Sequence, residues 1–189
     1  MSANKVIYGI SHAVAFPITA ESDAGVPTYG TAINLPGCTA LTMSAAGGET
    51  PFYADNVKYF NVVSNTGYTG SITLADIPDE FLEKILGEVA GDKGSKFEKS
   101  DAKTQMFALA FEFEGDKKKR RHIFYRCSAT RPEIASSTVQ DSVTPNTNSI
   151  NLTAMARLDN NIIRAHCEEG DGDYSNWYTA PVEYTAAKA

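Results

Sequence analysis

The chain has 189 residues, a length typical of one domain, and its 42% hydrophobic content is sufficient to form a core. Its formal net charge of −6 argues against a protein that grips duplex DNA with a basic face. No run approaches the ~18 apolar residues of a membrane-spanning helix, and the N-terminus lacks the pattern of a signal peptide.

The first part of the chain predicts strands, because apolar and polar residues alternate. Residues 6–10 predict an edge strand. Residues 14–18 predict an edge strand or none, because Pro17 cannot donate a backbone hydrogen bond. Residues 21–29 predict a turn-rich loop, and residues 38–46 a longer strand.

The segment 47–60, GGETPFYADNVKYF, lies between two strand-like runs. A connection between two strands usually needs two to five residues, so about 46–58 predicts a long loop. It carries Phe52, Tyr53 and Tyr59. Covering exposed aromatic side chains lowers the free energy, because it removes apolar surface from water. We therefore expect this loop to contact a partner.

One helix is predicted over residues 79–86, or about 78–88 at its widest. Its apolar residues fall on one face, as in a helix that covers a sheet. Asp76 and Asp79 resemble a capping box, Pro78 suits the first turn, and Gly87 can end the helix. The preceding run, 68–75, has the clearest strand periodicity of the chain.

The second half predicts an antiparallel hairpin from strands 105–114 and 121–129. A polar loop is predicted over 136–148, with strands following over 149–157 and 162–165. The end, 168–189, is acidic and then aromatic, with a flexible tail at about 180–189. We therefore predict one domain over residues 1–189, mainly β, with a two-sheet sandwich or barrel-like fold and one flanking helix.

No catalytic motif is present. The sequence has no nucleotide-binding glycine loop, no GxSxG and no metal-binding histidine spacing. His166 and Cys167 are adjacent, so on a strand they point to opposite faces. Three scattered cysteines, Cys38, Cys127 and Cys167, predict buried thiols. We therefore expect no enzyme activity, no metal and no cofactor.

The run 117–121 carries five positive charges in succession. It could contact phosphates or an acidic neighbouring subunit, or it could be a solvated hairpin tip whose charges prevent edge pairing. The sequence leaves these alternatives open. The residues of this possible inter-subunit basic patch are Lys117, Lys118, Lys119, Arg120 and Arg121.

Several segments together resemble one known family. They are ETPFYADNVKYF (49–60), NTGYTG (65–70), IPDEFLEKILGE (77–88), FALAFEFEGD (107–116), RHIFYRCSATRP (121–132) and NWYTA (176–180). Their order and spacing are similar to those of the phi13-type major tail proteins, the tail tube proteins of long-tailed phages.

The resemblance implies a β-sandwich or barrel-like subunit that forms hexameric rings. The rings stack into a hollow tube that conducts viral DNA from capsid to host without sequence-specific binding. It also implies assembly in the host cytoplasm, a place in the virion tail without a membrane anchor, and tape-measure, tail terminator and distal tail proteins as partners. The contact between rings is then expected at Glu49, Thr50, Pro51, Phe52, Tyr53, Ala54, Asp55 and Asn56.

Two other functions remain open on the sequence. The chain could form the tube of a phage-tail-like particle, which sequence alone does not separate from a phage tail. It could also be a β-sandwich module that binds a carbohydrate or a receptor. The candidate binding residues would then be the aromatic side chains near the end of the chain, Tyr174, Trp177 and Tyr178.

Overall fold

The computed structural model describes residues 6–136, 138 and 145–186. Parts of the predicted loop 136–148 and of the predicted tail 180–189 therefore lie outside the described residues. The strands are β1 (Ile10–Glu21), β2 (Pro27–Tyr29), β3 (Ile33–Asn34), β4 (Cys38–Ala46), β5 (Glu49–Ala54), β6 (Val57–Val63), β7 (Gly67–Leu74), β8 (Val89–Ala90), β9 (Lys96–Phe97), β10 (Phe107–Phe113), β11 (Arg121–Ala129), β12 (Asn148–Met155) and β13 (Arg164–Cys167).

Nine strands of the described chain form one antiparallel sheet in the order β2-β1-β10-β11-β12-β7-β4. β3 pairs with β1, and β13 pairs with β11. The sheet curls so that β4, at one end of the order, comes close to β1 near the other end. This mainly β, barrel-like architecture with one flanking helix confirms the predicted fold class.

The inside of the barrel holds the larger hydrophobic cluster. Alternate residues of the strands point inward, as in Ile72 and Leu74 of β7 and Ile150 and Leu152 of β12, and all four are buried. One end of this core is closed by the helix. The other end, where β4 and β7 meet at Ala46 and Gly67, we call the arm end.

The helical segment lies where the sequence predicts it. A single α-turn, α1 (Asp79–Phe81), continues as a π-helical turn over Leu82–Leu86. Gly87 ends the helix with a φ of 81°, a left-handed conformation that glycine adopts without strain. The predicted capping box is wrong. The Asp76 carboxylate accepts a hydrogen bond from the Ile77 amide, and no side chain caps α1.

The prediction for residues 14–18 is also wrong, because β1 is a long interior strand. It pairs with β10 on one side and with β2 and β3 on the other. Pro17 fits because its backbone faces the gap between β2 and β3. In this gap the Pro17 carbonyl accepts a hydrogen bond from the Gly30 amide. The proline nitrogen has no hydrogen to donate, and at the gap no strand partner needs one.

A second hydrophobic cluster covers the outer face of β1, β10 and β11. It includes Phe16 and Trp177, the latter in the segment that follows a 3-10 turn at Tyr174–Asn176.

The predicted flexible tail is wrong for its first residues, because they are attached to the barrel. The Tyr125 hydroxyl donates to the Val182 carbonyl at 2.7 Å, and Glu183 pairs with Arg157 at 2.7 Å.

Candidate assembly surface

The predicted long loop is instead a β-hairpin. β5 and β6 pair from Glu49 opposite Val63 to Ala54 opposite Val57, and they pair with no other described strand. Asp55 and Asn56 form the two-residue turn with φ of 50° and 60°, as in a type I′ turn. Asp and Asn tolerate this left-handed conformation better than other non-glycine residues, so the tip has the residues that the turn needs.

The hairpin extends the β4–β7 pair. Ala46 lies opposite Gly67, the Thr66 amide donates to the Ala46 carbonyl, and the Ser64 amide donates to the Gly48 carbonyl. β4, β5, β6 and β7 thus form one long two-stranded ribbon. Its outer half, residues 47–64, has eight residues on each side of the turn and therefore projects about 25 Å beyond the barrel at ~3.3 Å per strand residue. We call this outer half the arm.

The arm carries large apolar side chains that are exposed on both faces of the ribbon. Phe52 is 60% exposed and Tyr59 is 73% exposed. Phe52 lies directly opposite Phe60, so these two rings share one face of the ribbon. A single hairpin with solvent on both faces is marginally stable in water. Exposed apolar side chains in such number are typical of a segment that another protein surface covers. Its exposed large hydrophobic residues are Phe52, Tyr53, Val57, Tyr59, Phe60, Val62 and Val63.

Part of the basic run pairs with carboxylates of the same chain. Lys118 contacts Glu168 at 2.7 Å and Lys119 contacts Glu169 at 2.5 Å. Arg120 contacts the buried Asp116 at 2.6 Å. This leaves less charge for an outside partner, and an inter-subunit role for residues 117–121 stays a prediction.

Arg121 has a structural environment of its own. Its guanidinium contacts Glu112 at 3.1 Å and lies 3.8 Å from the centre of the Tyr174 ring. It also donates to the Tyr174 carbonyl, which attaches the C-terminal segment to β11. The stacking and the hydrogen bonds explain an arginine here without an external ligand.

The aromatic residues proposed for a carbohydrate site do not form an open platform. Trp177 is 2% exposed, and its indole N–H donates to the His122 carbonyl at 3.3 Å. Tyr174 is covered by Arg121. A sugar needs an exposed ring face to stack on, and these rings are buried or half-buried against the second hydrophobic cluster.

One broad face of the barrel is rich in hydroxyl groups and lacks charge. It is formed by the outward residues of β4, β7 and β12, which alternate with the buried core residues. Thr42, Ser71 and Asn151, for example, lie side by side across the three strands. We call this set the hydroxyl face: Ala40, Thr42, Ser44, Thr69, Ser71, Thr73, Ser149, Asn151 and Thr153.

The arm end of the barrel has an aromatic cavity of about 290 Å³. His122 lies at its wall, stacked on Phe111 with ring centres 5.4 Å apart. Burial, together with the charges of His166, Arg120 and Arg164, lowers the pKa of His122 to about 4, and the charge of Asp116 opposes this shift. The folded chain therefore holds this imidazole neutral near pH 7.

We predict that His122 makes stability depend on pH. An unfolded histidine binds a proton below pH ~6.5, whereas the folded one resists it until about pH 4, so stability is complete above pH ~6.5 and falls as the pH is lowered toward 4. Partial exposure limits the loss to about 1–2 kcal/mol. Urea unfolding from pH 7.5 to 4.5 measures it. The His122→Gln variant should lose this part of the dependence, and an unchanged pH profile in that variant contradicts the assignment.

No described helix is long and apolar enough to cross a membrane. No group of three or more His, Cys, Asp or Glu side chains is placed to hold a metal ion within residues 6–136, 138 and 145–186.

Comparison with known proteins gives a weak likeness in structure and none in sequence. No protein-family model matches the chain, and no curated protein matches it significantly. Among solved structures, a chain of the anti-feeding prophage baseplate, determined by cryo-electron microscopy with 6-fold symmetry, is similar with a TM-score of 0.46 and 10% identity. The match covers 90% of this chain and 99% of that one. A likeness at this level carries no argument about function.

Proposed function

We propose that this chain is the structural subunit of a phage tail tube, or of the tube of a phage-tail-like particle, and has no catalytic role. The observation that carries the proposal is the arm. Its uncovered aromatic and aliphatic side chains require a partner, and they project from the barrel on a ribbon that β4 and β7 hold in place. The family resemblance of the sequence supplies the partner, which is another copy of the chain in an adjacent hexameric ring.

The hydroxyl face supports a tube that lets DNA pass. Lysine and arginine bind DNA by neutralising phosphates, and this face carries neither. Ser, Thr and Asn side chains lose hydrogen bonds to water when a dry protein surface covers them, so they favour a hydrated space. In the proposed tube this face lines the lumen, and the DNA meets a wet and neutral wall.

The experiment is electron microscopy of the purified protein over a range of concentrations. We expect rings or tubes at high concentration. The double change Phe52→Ala with Tyr53→Ala should leave the subunit folded, because both side chains are exposed, but raise the assembly concentration more than tenfold. Aromatic anchors at interfaces commonly contribute ~2 kcal/mol or more each, which justifies this magnitude.

Tyr184→Ala is the matched control, since Tyr184 is an exposed aromatic residue away from the arm. It should assemble like the unchanged protein. A protein that stays monomeric under all conditions contradicts the tube proposal. Tubes that form from the double variant at the unchanged concentration contradict the role of the arm.

A further inference from the structure

The end of the barrel opposite the arm carries a second apolar surface. A groove of about 260 Å³ runs beside the helix, with Ile77, Leu82 and Leu86 on one side. Its other side is the segment 131–135, which follows β11. Arg131 fixes this segment through Glu98 at 2.5 Å and through the Lys99 carbonyl at 3.2 Å. We call this surface the helix groove.

The helix groove is surrounded by exposed apolar side chains. Ile134, in its wall, is 98% exposed. Val89 and Phe97 pair across β8 and β9 next to the groove, and both are exposed. Large apolar groups that remain uncovered around a formed groove indicate a surface that binds another protein segment.

The arm and the helix groove lie at opposite ends of the same ribbon. At one end of the β4–β7 pair, Ala46 and Gly67 lead into the arm; at the other, Cys38 faces Leu74, and the chain then continues to Ile77 and the helix. The two ends are separated by about 25 Å at ~3.3 Å per residue. Two complementary patches at opposite ends of a molecule produce a head-to-tail contact, which repeats from copy to copy.

We infer that the arm of one copy docks into the helix groove of the next copy. This inference rests on the proposed function and names the receiving surface of the contact. The aromatic cavity at the arm end does not serve this contact, because it lies at the same end as the arm and would be reached only when two copies meet head to head.

The chemistry of the two surfaces is complementary. The arm presents Phe52 and Phe60 as apolar anchors and Tyr53 and Tyr59 as anchors with a hydroxyl group. The groove is lined by the apolar side chains of the helix and Ile134, and also by the carboxylates of Asp76, Glu88, Glu98 and Glu133. A phenol hydroxyl at an interface usually finds an acceptor, and these carboxylates are acceptors.

The exposed apolar area of the arm is large enough for a stable contact between rings. Four aromatic side chains of ~150–250 Å² each, about two thirds exposed, leave on the order of 500 Å² for burial by one arm. The exposed valines of the arm add to this area. A standard interface buries ~800 Å² per partner, and each ring in a tube contributes several such arms.

The test is cross-linking between two populations of the protein. One population carries Thr50→Cys in the arm, and the other carries Ala135→Cys in the groove wall, both in a Cys38→Ser background because Cys38 is partly exposed. Both sites are exposed and neither replaces a large apolar side chain. A short bis-maleimide is added to the mixture before and after assembly. We expect a heterodimer in assembled protein and at least tenfold less in dilute monomer.

The matched control replaces Ala135→Cys by Glu114→Cys, an exposed position at the arm end. It should give no heterodimer above the monomer level. Assembled tubes without the arm-to-groove product, or with a product at Glu114→Cys instead, overturn this inference while the tube proposal stands. Protein that forms no rings or tubes by microscopy overturns both.

Discussion

Replacing Phe81 with alanine is expected to lower the free energy of unfolding by about 3–5 kcal/mol, the usual cost of removing a fully buried aromatic side chain. Phe81 is 1% exposed and packs edge-to-face on Phe107, with ring centres 5.5 Å apart. It is the residue through which the short helix closes the barrel. Since a domain of this size has a total stability of ~5–15 kcal/mol, much of the folded state is lost.

Urea unfolding monitored by tryptophan fluorescence measures this effect, since the chain has a single tryptophan, buried in the second cluster. Phe97→Ala is the control of the same chemistry at an exposed site, and it should change stability by less than ~1 kcal/mol. Equal effects of the two substitutions would show that the helix does not close the core as described.

Replacing Arg157 with alanine is expected to cost about 3 kcal/mol and to detach the C-terminal segment. The Arg157 side chain is 2% exposed; its guanidinium donates two hydrogen bonds to Asp159, at 2.8 and 2.9 Å, and one to Glu183 at 2.7 Å. Burial disfavours its charge, but these carboxylates outweigh burial and raise its pKa. Removing the arginine leaves Asp159, also largely buried, without its cation.

Two measurements distinguish this effect from a general loss of stability. Limited proteolysis should cut near residue 180 in Arg157→Ala well before the barrel is degraded, because Glu183 no longer holds the segment. Arg157→Lys should rescue little, since an ammonium group cannot make the paired bonds to Asp159. Arg164→Ala is the control at an exposed arginine. A segment that stays protected in Arg157→Ala contradicts its attachment through this residue.

Local patterns predicted much of the fold. The helix is found at Asp79–Leu86 because its apolar spacing, the preceding proline and the following glycine are neighbours in the chain. The hairpin of β10 and β11 is likewise a local feature. What the sequence could not provide is the neighbour of each strand. Pro17 suggested an edge strand, but the position of its backbone at the gap between β2 and β3 depends on tertiary pairing.

The amino-acid composition of the arm predicted where the contact surface lies, but the sequence did not predict that this segment forms a hairpin. The aromatic residues of segment 47–60 indicated a contact surface, yet the length of the segment suggested a loop. Asp55 and Asn56, which tolerate left-handed backbone, were the available sign of a hairpin. The helix groove was missed because its walls, the helix and residues 131–135, are about 50 residues apart in sequence and meet only in the fold.

The position of the second hydrophobic cluster has a consequence for how the protein is made. Its cover, from Tyr174 to Glu183, is synthesised after every strand of the barrel. A chain still on the ribosome therefore exposes Phe16 and its neighbours, together with the arm. Exposed apolar surface of this kind promotes aggregation of nascent chains. Translation must reach the last described segment before the subunit can finish folding, so a chain truncated before Tyr174 should accumulate in the insoluble fraction or on chaperones.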